Sequence, residues 1–209
     1  MPEEAPPRST LKTVRLLLWL LLVVVLVGIA ALVLVRRVTV NPPEATAPAA
    51  QANLGGPFTL VGADGQPFSS AKLAGKPYAI YFGFTRCGDV CPTTLSRIVK
   101  LRKEVGEPET FNIVFVMIDP AHDGPKEVGQ YATLFNSPII GLTGSQAQID
   151  HAKKQFGIYA EPAAHPTAGK EMMHSAFVLL FGRNGEFVTT IAPDDSDADA
   201  LKKLHAIVS

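Results

Sequence analysis

The sequence predicts an α/β domain, a mixed central sheet flanked by helices, carried behind one N-terminal transmembrane helix. Three observations predict it. From Leu16 to Val35 run twenty consecutive uncharged residues, about the length needed to cross a bilayer core of about 30 Å. Between residues 76 and 156 short apolar runs alternate with amphipathic stretches, the pattern of parallel β-α-β crossovers. After residue 176 two apolar runs flank an Asn-Gly turn, which reads as an antiparallel hairpin and makes the sheet mixed. With 209 residues, of which the first forty are set aside, one such domain is expected.

Taken in order, residues 1–15 read as a cytoplasmic tail. Arg8, Lys12 and Arg15 precede the span and Arg36 and Arg37 follow it, a small excess that places the N-terminus inside. The remainder would then face the non-cytoplasmic side, which in a bacterium means a single-pass inner-membrane protein with its soluble domain in the periplasm. A cleaved signal peptide is the competing reading, but its apolar core normally runs only about 7 to 15 residues and ends in a small-residue cleavage site. Here Arg36-Arg37 follow, and Ala47 and Ala49 offer only a weak site further on, so residues 16–35 are expected to remain as an anchor. No cysteine near the span could carry a lipid. Residues 36–56 form a linker, of which Asn41 to Gly55 is rich in Pro and Ala and reads as an extended, solvated tether. At about 3.1 Å per residue it reaches on the order of 45 Å, enough for the head to search for a membrane-bound partner.

The head, residues 57–209, opens with Pro57–Val61, a turn at Gly62 to Gly65, and Gln66–Ser69, a small hairpin. Tyr78 to Phe84 is apolar almost throughout and suits a strand buried on both faces. Pro92 is well placed as the first residue of a helix, in which Leu95, Ile98, Val99, the stem of Arg102 and Val105 recur at three and four before Gly106. Cys91 is thus expected at that helix's cap. Asn112 to Asp119 reads as a second buried strand, Pro125 to Phe135 as a helix, Pro138 to Leu142 as a short strand and Ser145 to Phe156 as a helix. Ala176 to Phe181 and Glu186 to Ile191 form the hairpin. A last helix, Asp195 to Val208, carries acids first and Lys202, Lys203 and His205 toward its end, which complements the helix dipole. A mixed sheet with a thiol pair at its first strand-to-helix junction is a thioredoxin-like arrangement.

Charge excludes one class of partner. The chain is neutral overall, and residues 41–209 hold 14 basic and 17 acidic side chains. No basic stripe, P-loop or G-x-G-x-x-G appears, so no nucleic-acid partner is expected.

The chemistry centres on Cys87 and Cys91, the only cysteines. A thiol between a strand end and a helix N-terminus meets backbone N–H groups and the positive end of the dipole, which favour thiolate. Residues four apart on a helix hold their Cβ atoms about 5 to 6 Å apart, whereas a relaxed disulfide wants about 3.5 to 4.5 Å. Metal–sulfur bonds of about 2.3 Å span the wider gap, so the spacing tilts toward a metal without excluding redox cycling. A third donor is needed, and His174 is the candidate. It precedes the expected strand Ser175 to Phe181, whose leading loop faces the thiol helix in a thioredoxin-like sheet, where redox thioredoxins place a cis-proline. Alone, His174 would read as a loop histidine; its position beside the pair reverses that. Two thiolates and one imidazole suit Cu(I) and Cu(II), or zinc if a fourth ligand is found. Met172 and Met173 read first as packing, with a soft axial ligand as the alternative. Asp89 caps or solvates its turn and receives no ligand role. His122 and Asp123 read as turn and helix-cap residues ahead of metal ligands, and His151, His165 and His205 as surface residues.

The stretch Lys76-Pro-Tyr-Ala-Ile-Tyr-Phe-Gly-Phe-Thr-Arg-Cys-Gly-Asp-Val-Cys-Pro92 resembles the Sco/SenC family, whose signature is a Gly-Lys, a Tyr-Phe-Gly-aromatic-Thr strand end and Cys-Pro-Asp-Val-Cys-Pro. Ile118-Asp-Pro120 with Asp123 and Pro125, Gly141-Leu-Thr-Gly144 and Met173-His-Ser-Ala176 extend the similarity to about residues 57–200, together with the anchor. Departures are Gly88 where the family usually has Pro, expected to loosen the loop, and Ala121-His122 and Gly124 where Glu-Arg-Asp-Thr is common. The resemblance implies that Cys87, Cys91 and His174 form a copper site in a membrane-tethered copper chaperone, not an enzyme. Such a chaperone would take copper from an upstream periplasmic donor and metallate the dinuclear copper centre of cytochrome c oxidase subunit II. The alternative is a thiol-disulfide oxidoreductase that reduces that subunit's cysteines before copper enters. A copper or redox sensor ranks lower, since no separate output domain is evident, and the surroundings of Cys87 lack a peroxiredoxin-style pattern.

Overall fold

The structure, a computed structural model, describes residues 9–40, 54–106 and 110–209. Most of the expected tether and the first half of the expected tail lie outside the described residues. The chain divides into two units, residues 1–48 and 49–209. The first holds helix α1 (Ser9–Val40), longer at both ends than the apolar run that predicts it. Its window Val14–Ala31 has a mean hydropathy of 2.8 and every side chain exposed. Such a helix is long and apolar enough to cross a membrane, and it satisfies its backbone hydrogen bonds internally, as lipid requires.

The second unit begins with the hairpin β1 (Thr59–Gly62) and β2 (Pro67–Ser69), with Leu60 opposite Phe68. Strand β3 (Tyr78–Gly83), helix α2 (Val90–Val105), strand β4 (Asn112–Met117), helix α3 (Pro125–Thr133) and strand β5 (Ile140–Thr143) follow, giving two successive parallel crossovers. Then come helix α4 (Gln146–Gln155), the hairpin β6 (Ala160–Thr167) and β7 (Lys170–His174), the hairpin β8 (Val178–Phe181) and β9 (Phe187–Ile191), and helix α5 (Asp197–Val208). Among the described residues seven strands form one sheet in the order β2-β1-β5-β4-β3-β8-β9, while β6 and β7 pair with each other in a second, two-stranded one. All six residues of β3 and all four of β8 are buried, which is why these strands read as continuous apolar runs without alternation. α2 packs against α5, and α3 and α4 lie against β5 and β1.

Topology brings distant residues to one edge. β3 and β4 are parallel, so the chain leaves both at the same end of the sheet; β8 runs antiparallel to β3 and begins at that end. Residues 84–91, 118–124 and 174–177 therefore meet there.

Three expectations need correction. α2 starts at Val90, not Pro92, so Cys91 lies within its first turn; Asp89 occupies the N-cap without a side-chain cap hydrogen bond. Pro92 is tolerated two residues inside because first-turn N–H groups have no intrahelical acceptor. The hairpin of β6 and β7 has no signal in the sequence, because Pro162 and Pro166 weaken any strand reading. Consequently His174 closes β7, and the strand expected from Ser175 begins at Val178. Arg102 is buried entirely instead of by its stem alone: its guanidinium donates to the carbonyls of Phe111 (3.4 Å) and Pro138 (3.0 Å) and to the Ser137 hydroxyl.

Candidate metal centre

Cys87 stands in the turn between β3 and α2 and is 8% exposed; Cys91, one turn of chain later, is fully buried. His174 at the end of β7 is half-buried and faces them. One sulfur from each cysteine and one ring nitrogen all lie within 4.8 Å of one another. Among the described residues this is the one group of three such donors close enough to hold an ion. Neither cysteine is in a disulfide. The Cys91 N–H donates to Cys87 Sγ at 3.3 Å, as a first-turn amide without a helical acceptor is placed to do. His174 Nε2 is 3.6 Å from Cys91 Sγ, and its Nδ1 is 2.9 Å from the Ser175 carbonyl. A carbonyl only accepts, so Nδ1 carries the proton and Nε2 turns its lone pair toward the sulfurs. The rings of Phe84 and Tyr81 meet the imidazole edge-on at 5.8 and 6.1 Å, fixing its plane, and the Tyr81 hydroxyl donates to Cys91 Sγ at 3.7 Å.

The two thiols are electrostatically unequal. The Cys91 side chain hydrogen-bonding to it, helped by the N–H groups of Asp89 and Cys91, pulls the Cys87 thiol down to about 3 against the opposing effect of burial. Cys91 is pushed up by its bond to Cys87 and by burial. Between about pH 3 and the ordinary thiol range the pair thus carries one proton, held at Cys91. Burial, with Cys91 beside it, also pushes up the Tyr81 hydroxyl, which stays a donor.

The surroundings hold this geometry. A Cβ on Gly83 would lie 2.7 Å from Cys91 Sγ and 2.8 Å from Phe115 Cε2, so the strand end admits the sulfur only because residue 83 has no side chain. The turn is pinned from β4's loop: Asp123, fully buried, accepts from the Thr85 N–H at 3.0 Å and from the Thr85 hydroxyl, while Arg86 pairs with Asp119 at 2.6 Å. Burial pushes the Asp123 carboxyl up, and the two Thr85 bonds oppose it. His122 is exposed and pairs with Asp119. His122 and Asp123 thus do turn duty, apart from the three-donor group. Gly88, where looseness was expected, is instead tied: its N–H donates to the Gly169 carbonyl, at 3.1 Å, in the turn between β6 and β7. Gly169 has φ +81°, and a Cβ there would sit 3.0 Å from the Gly88 nitrogen. Proline at 88 has no N–H to make this bond.

A cleft of about 630 Å³ opens onto the centre, lined by Cys87 and by His174, Met172, Met173 and His165 of the β6–β7 hairpin. Met172 packs partly into the core, whereas Met173 is 57% exposed. His151 and His205 are exposed away from it, and His165, expected simply on the surface, is exposed on the cleft's rim. Sequence reasoning missed the Thr85–Asp123 and Arg86–Asp119 anchors; the signal was the pair of aspartates after a central strand, opposite the residues that precede Cys87.

A thioredoxin-like sheet that gathers a dithiol and an imidazole at the ends of its central strands defines a class of soft-donor protein built on that fold. The chain belongs to the SCO1/SenC family, whose model matches residues 46–209. It is 31% identical over 176 residues to the Saccharomyces cerevisiae protein SCO2, mitochondrial, a match that covers 81% of this chain and 58% of that protein. The chain thus spans little more than half of that relative. Bradyrhizobium japonicum ScoI, solved with copper bound, superposes with a TM-score of 0.64 at 31% identity, over 74% of this chain and 99% of that one. BsSco, described as a member of the Sco family of cytochrome c oxidase assembly proteins with a disulfide switch, shares the fold at 23% identity and a TM-score of 0.58, over 77% of this chain and 97% of its own.

Proposed function

We propose that the chain is a membrane-tethered copper-binding assembly factor that holds copper on Cys87, Cys91 and His174 and passes it to the dinuclear copper centre of cytochrome c oxidase subunit II. The observation that carries this reading is the convergence of two sulfurs and an oriented imidazole within 4.8 Å. Two thiolates and one neutral imidazole suit copper in either oxidation state, and the tautomer fixed by Ser175 leaves Nε2 free to bind. The copper-bound relative and the assembly role described for BsSco support it. The apolar helix α1 supports an anchor in a bacterial inner membrane with the head, from about residue 57, in the periplasm, where an upstream donor would supply the copper. In this reading delivery proceeds by ligand exchange to the partner's cysteines, with nothing turned over.

Reconstitution with copper tests this. Cys87→Ser, Cys91→Ser and His174→Ala should each weaken binding at least about tenfold, as loss of a donor from a three-ligand site requires. Undiminished binding in all three variants would defeat the reading.

A second reading is favoured by one observation: a stabilised thiolate at Cys87 beside a protonated Cys91 is also an attacking thiol beside a resolving one. The same pair could then reduce the subunit's cysteines before metallation. The roles separate at His174, since a reductant keeps thiol–disulfide exchange in His174→Ala while a chaperone loses copper delivery.

A further inference from the structure

Cys91 is fully buried and Cys87 nearly so, and of the two only Cys87 lines the cleft. An ion coming from solvent therefore approaches through that cleft, past the β6–β7 hairpin. That wall carries two thioethers, Met172 and Met173, and the imidazole of His165. Met172 stands two residues before His174 on β7, so both side chains share a face, with about 6.6 Å between their Cα atoms. The three torsions of a methionine side chain are enough to bring its sulfur toward that imidazole. Met173 opens to solvent at 57% exposure. A thioether is soft and neutral, with no proton to lose, so it accepts Cu(I) over harder divalent ions and does so independently of pH.

We propose that Met173, open to solvent at the mouth of the cleft, first contacts Cu(I), and that Met172 and His165 on the cleft wall form a second, weaker site where the incoming ion is held before it moves to Cys87, Cys91 and His174. This rests on the copper reading above. The transfer is a ligand exchange. Copper stays Cu(I) and no electron moves; its bonds to thioether sulfur and the His165 ring nitrogen break as bonds to Cys87 Sγ, Cys91 Sγ and His174 Nε2 form, and the Cys91 proton leaves to solvent. Because two thiolates bind more tightly than thioethers, the ion runs downhill.

The test uses the full chain in detergent micelles and Cu(I) presented by a small-molecule chelator. In Met172→Leu/Met173→Leu, a nearly volume-conserving change, the stopped-flow rate of loading should fall at least about tenfold while affinity at the cysteine centre stays within about twofold. Met173→Leu alone, at an exposed position where folding is not at stake, should slow loading at least about threefold. Separately, a Cys87→Ser/Cys91→Ser chain should retain one Cu(I) or Ag(I) ion with thioether scattering in its X-ray absorption spectrum, lost when both methionines become leucine. An unchanged loading rate, or no thioether scattering in the serine variant, would overturn the proposal. If the unaltered chain held no copper on its cysteines, the copper reading would fail by itself, and the serine variant would still report on the methionine site.

Discussion

Cys87 and Cys91 are written alike in the sequence and differ in chemistry, because one sits in the turn and the other inside the helix. Cys87 receives the Cys91 N–H and the Cys91 thiol, so it is a thiolate at neutral pH with its pKa held down to about 3. Its reaction with a small alkylating reagent should therefore be flat between about pH 5 and about pH 8. In Cys91→Ser the strongest of the bonds that lower it changes, and the rate should acquire a pH dependence with a higher midpoint; a rate in the unaltered chain that climbs throughout this window would contradict the assignment. The grouping of these three residues was legible, since two cysteines and one well-placed histidine stand out in 209 residues. Their inequality was not, because it depends on which amide and which thiol point at which sulfur. Nor was the Thr85–Asp123 bond, which joins residues 38 positions apart.

The element that most shapes the site is the one with the weakest sequence signal. The β6–β7 hairpin, disguised by Pro162 and Pro166, delivers His174 at its end and meets the Cys87 turn at its tip through Gly88 and Gly169. Two contacts thus fix the hairpin against the helix: the backbone bond at the tip and the imidazole at the base. Gly88→Pro removes the donor, and Gly169→Ala strains a residue at φ +81° and presses a methyl group against Gly88. Each should cost about 1 to 2 kcal/mol of stability. Each should also weaken copper binding more than Gly185→Ala, a change at an equally left-handed but open turn far from the site. Equal effects at the two places would show that the tip contact does not hold the centre. The strands and helices with continuous apolar runs or clear periodicity were read correctly to within a few residues, as α2, β3 and β4 illustrate. Boundaries slipped where proline misled, at the start of α2.

At the scale of the molecule, the crossing of parallel and antiparallel strands explains why residues from three parts of the chain share one edge, and this much followed from the sequence pattern. The protonation of that edge makes stability pH-dependent in two opposed ways. Cys87, with its folded pKa depressed, adds stability that is fully present above the ordinary thiol range and is lost as pH falls toward about 3. Cys91, with its folded pKa raised, adds stability that is present below the ordinary thiol range and is lost as pH rises past it. Denaturant unfolding of the metal-free, reduced chain should therefore show a contribution from the pair that rises with pH up to about 8 and falls above it, absent from Cys87→Ser/Cys91→Ser. A difference between the two proteins that does not change with pH would contradict it.

The central claim is that folding makes one three-donor pocket from Cys87, Cys91 and His174. Copper-edge X-ray absorption of the loaded full chain tests it most directly. The expected spectrum has two sulfur scatterers at about 2.3 Å and one imidazole nitrogen at about 2.0 Å, and the imidazole contribution disappears in His174→Ala. A copper shell built from oxygen or nitrogen alone, or an imidazole signal that survives that substitution, would contradict the account.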